Sequence, residues 1–559
     1  MSTPRMFRWV YLGLTLSVLP LAVGCDGCSD KAKAGSPLQF IAADADAVLE
    51  VRDIGLLISA RQGATQSFGS LLPKAQIESL QKELQLSLGF DPSTAEGLAK
   101  AGLPAKGAIA ANILSSGKGA VWVFPVADPV KLKPLLQKVL QSRVSIDATR
   151  TEKIGAAEAT VFETQFGADK LTVAAHVFSQ GYVLVALGRD ALDLLKGALS
   201  VKPEASVAKS PEYAALIKSL DTNWDVRMTS PKGGETLKGA LRTASRSVPE
   251  AKALIRDELT AVKGVGWSAT FSARGLAVQG TLRLDEKGLA LSKKVFAPEG
   301  APDSGVKAVG VPQSVIFAQV GLHAKTVLDL IAPVGSPARA RIDRASDRAQ
   351  KDLSLDIKEE LIPLLTGHGA VALGVGGLDK LSFKELMGNP RGALWTAFGL
   401  GVKDPAAAVA LEKRLDPGLK ARTLEIVTRT VAEQTVRSVV PPKDPISGAQ
   451  APLVETSGFG GAWVFANEPA LMDQVIKNTT AANALGGDSG VYVEVNFREL
   501  NTQLSAFRYG DLPILYRSLL AKVMDGLKLL DSAKIRVQPV AEGVSLNAEL
   551  NILPLTKAK

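Results

Sequence analysis

Cysteine is almost missing from this chain: 559 residues carry two, both inside the stretch Leu21-Ala-Val-Gly-Cys25-Asp-Gly-Cys28. Everything downstream is free of disulfides and thiolate metal ligands, so burial alone must stabilise it. Histidine is nearly as scarce. His176, His323 and His368 are the full set, and no two stand at zinc-binding spacing such as HExxH. The nucleophile elbow GxSxG, the phosphate loop GxxxxGK[ST] and the carboxylate calcium loop are all absent. Aromatic residues make up 5% of the chain, too few to favour a sugar-stacking groove. Lysine and arginine are dispersed and form no basic tract interleaved with aromatics, which argues against nucleic acid as a partner. The expectation is a non-enzyme with no cofactor and no metal.

What is present begins with the leader. Arg5 and Arg8 precede an uncharged run from Trp9 to Gly24, rich in Leu and Val. That is the layout of a secretory signal, shorter than the roughly 20 apolar residues a membrane span needs. The residues Leu21-Ala22-Val23-Gly24-Cys25 resemble the lipobox of bacterial lipoproteins, with Ala22 where a leucine is more usual. The resemblance implies lipidation of Cys25, whose sulfur would carry a thioether to diacylglycerol and could not join Cys28 in a redox pair. A thioredoxin-type pair would also need a strand before it and a helix after it, whereas Ser29-Asp-Lys-Ala-Lys-Ala-Gly-Ser-Pro37 is a polar tether. Asp26 resembles the inner-membrane retention signal of enteric bacteria, and the choice between inner and outer membrane is left open.

The chain is longer than one core supports, so two or more domains are expected. Hydrophobic residues at 46%, charged residues at 22% and a net charge of +9 describe an ordinary globular protein with a mildly basic, solvated surface.

Internal repetition sets the domain layout. Leu86-Ser-Leu88 recurs as Leu353-Ser-Leu355, and Val126-Ala-Asp-Pro129 as Val402-Lys-Asp-Pro405. Ala191-Leu192 answers to Ala470-Leu471, and Gly275 to Gly543. These four landmarks keep their order at separations of 267 to 279 residues. The expected layout is a signal peptide at 1–24, a lipid-anchored polar linker at 25–38, a first repeat at 39–300 and a second at 301–559. Pro302 and Gly305 mark the junction.

The landmarks also carry local structure. In Val-x-Asp-Pro a strand ends and a helix starts: Asp128 and Asp404 can accept from the first free amides, while Pro129 and Pro405 stand where a missing N–H costs nothing. The runs "ATVFETQF", "KLTVAAHVF" and "YVLVALG" read as strands turning at Gly167 to Asp169 and at Gly181. Gly275 and Gly543 read as hairpin turns. Each half becomes an antiparallel-rich sheet packed with helices. Between about residues 119 and 229 the order strand, helix, strand, strand, helix, strand resembles a ferredoxin-like layer. The fold class expected is α+β in two similar tandem halves. Residues 336–361 alternate Arg and Asp at helical spacing and read as an exposed helix with a solvated face.

His176 and His323 sit in apolar surroundings and read as satisfied, partly buried imidazoles. His368, in Thr366-Gly-His-Gly369, has glycines on both sides that would allow a ligand close to the backbone. "GVGG" at 374–377 and Gly399-Leu-Gly401 are incomplete dinucleotide fingerprints, better explained by packing. The body also resembles the duplicated, uncharacterised domains of bacterial secreted and lipoprotein chains, on patterns such as "LSLDIKEELIPLLTGHGAVALGV". That resemblance implies no known active site. The resulting expectation is a lipid-anchored, extracytoplasmic cell-envelope protein serving as a binding or structural scaffold, with the membrane and an envelope protein as partners. A carrier or sensor of an apolar ligand or lipid is the alternative, and a hydrolase of envelope polymers is the least favoured.

Overall fold

The computed structural model describes residues 36–553 apart from 56–88, 245–260, 379–392, 444–451, 507–516 and shorter stretches of at most five residues. The leader, Cys25, Cys28 and the Leu86–Leu88 landmark lie outside the described residues. The chain divides into two compact units, residues 1–288 with 542–545 and 551–559, and residues 289–541 with 546–550.

In the first unit the strands are β1 (Ala47–Val51), β2 (Ile109–Ile113), β3 (Gly119–Pro125), β4 (Ala148–Ile154), β5 (Ala157–Phe166), β6 (Asp169–Ser179), β7 (Tyr182–Gly188), β8 (Val226–Ser230), β9 (Val262–Ser272) and β10 (Gly275–Leu284). Their pairings run β4-β5-β6-β7-β3-β2-β1-β8-β9-β10, every one antiparallel. The helices are α1 (Ala95–Lys100), α2 (Pro129–Arg143), α3 (Ala191–Leu199), α4 (Pro211–Lys218) and α5 (Gly234–Ala244), with α6 (Glu286–Val295) spanning the division.

The alternation of side chains along a strand puts two apolar sets on opposite faces. Val121, Val123 and Leu184 pack with Ala191 and Leu195 of α3. Trp122, Val183 and Val185 pack on the other face with Leu132 of α2. Burying a leucine as fully as Leu195, which is 0% exposed, contributes about 1.5–3 kcal/mol, so α3 is held by its apolar stripe.

In the second unit the strands are β11 (Ile316–Gly321), β12 (Leu365–Val375), β13 (Leu394–Val402), β14 (Glu425–Val431), β15 (Gln434–Val440), β16 (Val454–Phe459), β17 (Ala462–Ala466), β18 (Gly490–Asn496) and β19 (Leu530–Val540). They pair as β14-β15-β16-β17-β13-β12-β11-β18-β19, and β20 (Gly543–Ile552), which the division splits between the units, pairs with β19. Position by position this is the strand order of the first unit. Among the described residues the α-helices of five residues or more are α7 (Ser304–Ala308), α8 (Ala324–Ile331), α9 (Pro337–Leu353), α10 (Pro405–Arg414), α11 (Asp416–Lys420), α12 (Pro469–Lys477) and α13 (Phe497–Ser505). Val306 of α7 and Leu471, Met472 and Val475 of α12 cover one face, while Ala408 and Leu411 of α10 pack with Trp463 on the other.

Both central hairpins turn on two residues of positive φ, Gln180 and Gly181 in β6–β7 (52° and 80°) and Gly460 and Gly461 in β16–β17 (56° and 76°). That conformation matches the right-handed twist of the flanking strands.

The protein is thus α+β with antiparallel sheets, and it differs from the sequence reading in two places. A ferredoxin-like layer would seat the strand after the second helix, β8, beside β3. That edge of β3 is instead taken by β2, its neighbour in sequence, and β8 pairs with β1. The outermost strand β4 carries the sequence ATRTEKI with three consecutive exposed residues, so it lacks the apolar alternation by which the other strands are read. Around the proposed junction, Ser304–Ala308 is helical, and a Cβ added at Gly305 would lie 2.3 Å from the Phe459 carbonyl oxygen. Glycine there lets α7 lie directly on the β16–β17 hairpin. Among the described residues no helix is long and apolar enough to cross a membrane.

Candidate functional site

The three histidines have three different settings. His323 caps α8: its Nδ1 accepts the Thr326 backbone N–H at 3.2 Å. His368 lies in β12, 2% exposed, with Nε2 2.7 Å from the Gly300 carbonyl oxygen and Nδ1 unpartnered among the described residues. Its flanking Gly367 has φ of 90°, and an added Cβ would stand 2.0 Å from the Leu322 carbonyl oxygen. The close approach that the glycine allows is made by the protein's own backbone.

His176 lies in β6, 1% exposed, with neither ring nitrogen hydrogen-bonded among the described residues. Phe162 and Phe178 flank it, both at 5.7 Å between ring centroids. Burial, with a smaller contribution from the charge of Lys133, lowers its pKa to about 4. It is therefore a neutral imidazole at neutral pH, enclosed by aromatic rings.

The near-fingerprint glycines are packing positions. A Cβ on Gly374 would come within 2.1 Å of the Trp395 ring, and one on Gly399 within 3.0 Å of Val309. Among the described residues no group of three or more His, Cys, Asp or Glu side chains is placed to hold a metal ion.

Three buried ion clusters went unread in the sequence. In the first unit Glu50 of β1 takes both arms of Arg227 of β8, at 2.6 and 2.9 Å. The Tyr213 hydroxyl of α4 donates to the same carboxylate, and the Trp224 ring lies 4.1 Å from the guanidinium. In the second unit Glu455 of β16, 1% exposed, receives Arg429 of β14 at 2.6 and 3.1 Å and the Ser438 hydroxyl at 2.7 Å. Arg429 also reaches Asp473 of α12. Glu412 of α10 pairs with Arg437 of β15 and accepts the Thr456 hydroxyl; burial pushes its carboxyl pKa up against those partners. Each cluster ties a helix or a distant strand to the sheet, and every acid has its cation. For Glu50 the sequence signal is a single charge inside an apolar strand, Ala47-Val-Leu-Glu-Val51; Glu412, on helix α10, leaves no such mark.

Two surfaces remain. A recess of about 250 Å³ is lined by Lys307, Val311, Phe317, Ala484, Glu494 and Asn496. Across the second sheet the register places Phe465, Phe398, Val371, Ala318, Val493 and Ile535 in one row. Phe398 stacks on Phe465 at 4.4 Å and is 37% exposed, and Ile535 is 45% exposed. Phe465, Val371, Ala318 and Val493 are half-buried, so the row leaves contiguous apolar surface only partly covered.

No curated protein matches the chain. Among solved structures, crystal form IV of TP0453 is 13% identical, covers 46% of this chain and 85% of its own, and has a TM-score of 0.24. Crystal form III is 12% identical, covers 48% and 89%, and has the same score, too low to assign a shared fold. The profile of a family described as a protein of unknown function, DUF3352, matches residues 101–457. That is more than half of the chain and reaches from β2 into β16, so the protein belongs to the DUF3352 family.

Proposed function

We propose that this protein is a non-catalytic, lipid-anchored component of the bacterial cell envelope whose two units present binding surface to another envelope protein. The observation that carries the reading is the leader, Leu21-Ala-Val-Gly-Cys25 after a short apolar run and two arginines. Acyl chains contribute about 0.8 kcal/mol per buried methylene, and more than one chain gives stable anchoring. The matching strand order of the two units supports a duplicated body. The histidines support a non-catalytic role, since one caps a helix and the other two are buried against backbone or aromatic rings.

Intact-mass analysis of the protein purified from membranes tests the reading. The expected mass is that of a chain beginning at Cys25 plus a diacylglyceryl group, and Cys25→Ser should abolish the added mass and the membrane association. An unmodified chain beginning at Met1 in the soluble cytosolic fraction would overturn it. Crosslinking in living cells should then recover a reproducible envelope partner.

The row from Phe465 to Ile535 favours a second reading, a carrier of an apolar ligand. Organic extracts of natively purified protein, examined by mass spectrometry, should contain a stoichiometric lipid on that reading and none on the first.

A further inference from the structure

Helix α9 is capped at its start by Ser336, whose hydroxyl accepts the Arg339 N–H at 3.1 Å. Its inner side is set by Ser346, which is buried, and by Ala349 and Leu353, which pack against the cluster around Leu355 and Val402. The alternating charges of this segment suggest a balanced face, but the acids and the cations are not used alike. Asp343 is taken by Lys358 at 2.5 Å and by Arg339 at 3.5 Å, and Asp352 by Arg422 at 2.7 Å. Arg339 is further held by Asp329 at 3.1 Å. Arg341, Arg344, Arg348 and Lys351 are exposed, and none makes an ion pair with another described residue. At about 100° per residue these four fall within an arc of about 80°, opposite the buried side. Asp347 lies at the margin of the stripe and is the one acid on this helix without an ion-pair partner among the described residues.

We propose that this stripe docks the second unit on the anionic headgroups of the membrane that holds the lipid anchor; the proposal rests on the acylation of Cys25. Three guanidiniums match the chemistry of lipid phosphates, since each presents a planar fork of donors to phosphate oxygens. A cluster of four cations on one helix face is the size that recognises an anionic surface. The anchor supplies the high local concentration that lets so small a patch engage.

The test uses the full-length acylated protein on vesicles of phosphatidylcholine alone or mixed with phosphatidylglycerol. An environment-sensitive fluorophore is attached at Ala345→Cys, one turn from Arg341 and from Arg348, in a Cys28→Ser background. The protein should float with both kinds of vesicle, while the fluorophore reports lipid contact only with phosphatidylglycerol. Contact should weaken about fivefold for each cation removed, so about a hundredfold in the triple variant Arg341→Gln, Arg344→Gln, Arg348→Gln. It should also be lost when salt is raised from about 0.1 M to about 0.5 M. Flotation with both vesicles but no phosphatidylglycerol-dependent signal overturns the docking alone. Equal contact on phosphatidylcholine overturns its electrostatic basis. Failure to float with either removes the anchor and this proposal with it.

Discussion

Acidification should destabilise the first unit through one side chain. His176 is 1% exposed, lies between Phe162 and Phe178, and has no acceptor for a second ring proton among the described residues. Its pKa in the folded protein is lowered to about 4, first by burial and then by Lys133, whereas in the unfolded chain it titrates near its ordinary value of about 6.5. The unfolded state therefore takes up the proton first. Above pH 6.5 both states are neutral and nothing is lost; between pH 6.5 and 4 the folded state forfeits stability steadily. A gap of about 2.5 pH units at 1.36 kcal/mol each is about 3 kcal/mol, a substantial part of the 5–15 kcal/mol that holds a typical domain. Replacing His176 with Leu keeps the site apolar and removes the titration. Hydrogen exchange read by mass spectrometry on peptides from β5 to β7, at matched pH values from 7.5 to 4.5, isolates this unit. The wild type should lose about 2–3 kcal/mol more protection than His176→Leu, with the carboxylates common to both cancelling. Parallel losses within about half a kcal/mol would refute a sealed, unpaired imidazole.

Other substitutions probe other parts of the fold. Glu455→Ala removes the bidentate partner of Arg429 and the acceptor of the Ser438 hydroxyl, while Arg429 keeps Asp473 and is partly exposed, so it should lower stability by about 1–3 kcal/mol in urea unfolding. Ala432 and Glu433 turn β14 into β15 at φ of 45° and 68°, so replacing them with Asn-Gly should stabilise the second unit by up to about 1 kcal/mol and raise its melting temperature. Gly374→Ala forces the Trp395 ring aside and should cost about 1–3 kcal/mol, with a change in tryptophan fluorescence. Asp404→Ala removes the acceptor for the Ala406 and Ala407 amides at 2.9 and 3.1 Å and should cost about 1 kcal/mol in thermal unfolding.

Local chemistry was readable in advance, and long-range pairing was not. Asp128 accepts the Val130 and Lys131 amides at 3.0 and 3.3 Å, as Val-x-Asp-Pro implies, because a helix cap is made within three residues. The charged segment 336–361, which the sequence reads as one exposed helix, is helical only to Leu353: Ser354 turns out of it at φ of 55°, and Ile357–Leu361 forms a separate π-helical turn. The place of β2 between β1 and β3 depends on register across the sheet, which no window of sequence contains. Glu455 and Arg429 stand 26 residues apart and Glu50 and Arg227 stand 177 apart, so their pairing emerges only once the strands are aligned. The sequence reads His176 as a satisfied, partly buried imidazole, whereas the fold buries it fully and leaves both ring nitrogens without a partner among the described residues; Phe178 shares its face two residues along the strand, but Phe162 reaches it only through the pairing of β5 with β6.

The seat of β1 beside β8 fixes when the first unit can be finished. Among the described residues β1 is the first strand, and it is interior: one flank stays bare until a strand more than 170 residues later arrives to close it. An emerging chain halted anywhere before that point carries an open, apolar backbone edge with Glu50 unpaired. Closing β1 thus waits on a partner far along the chain, the kind of non-local pairing that slows folding.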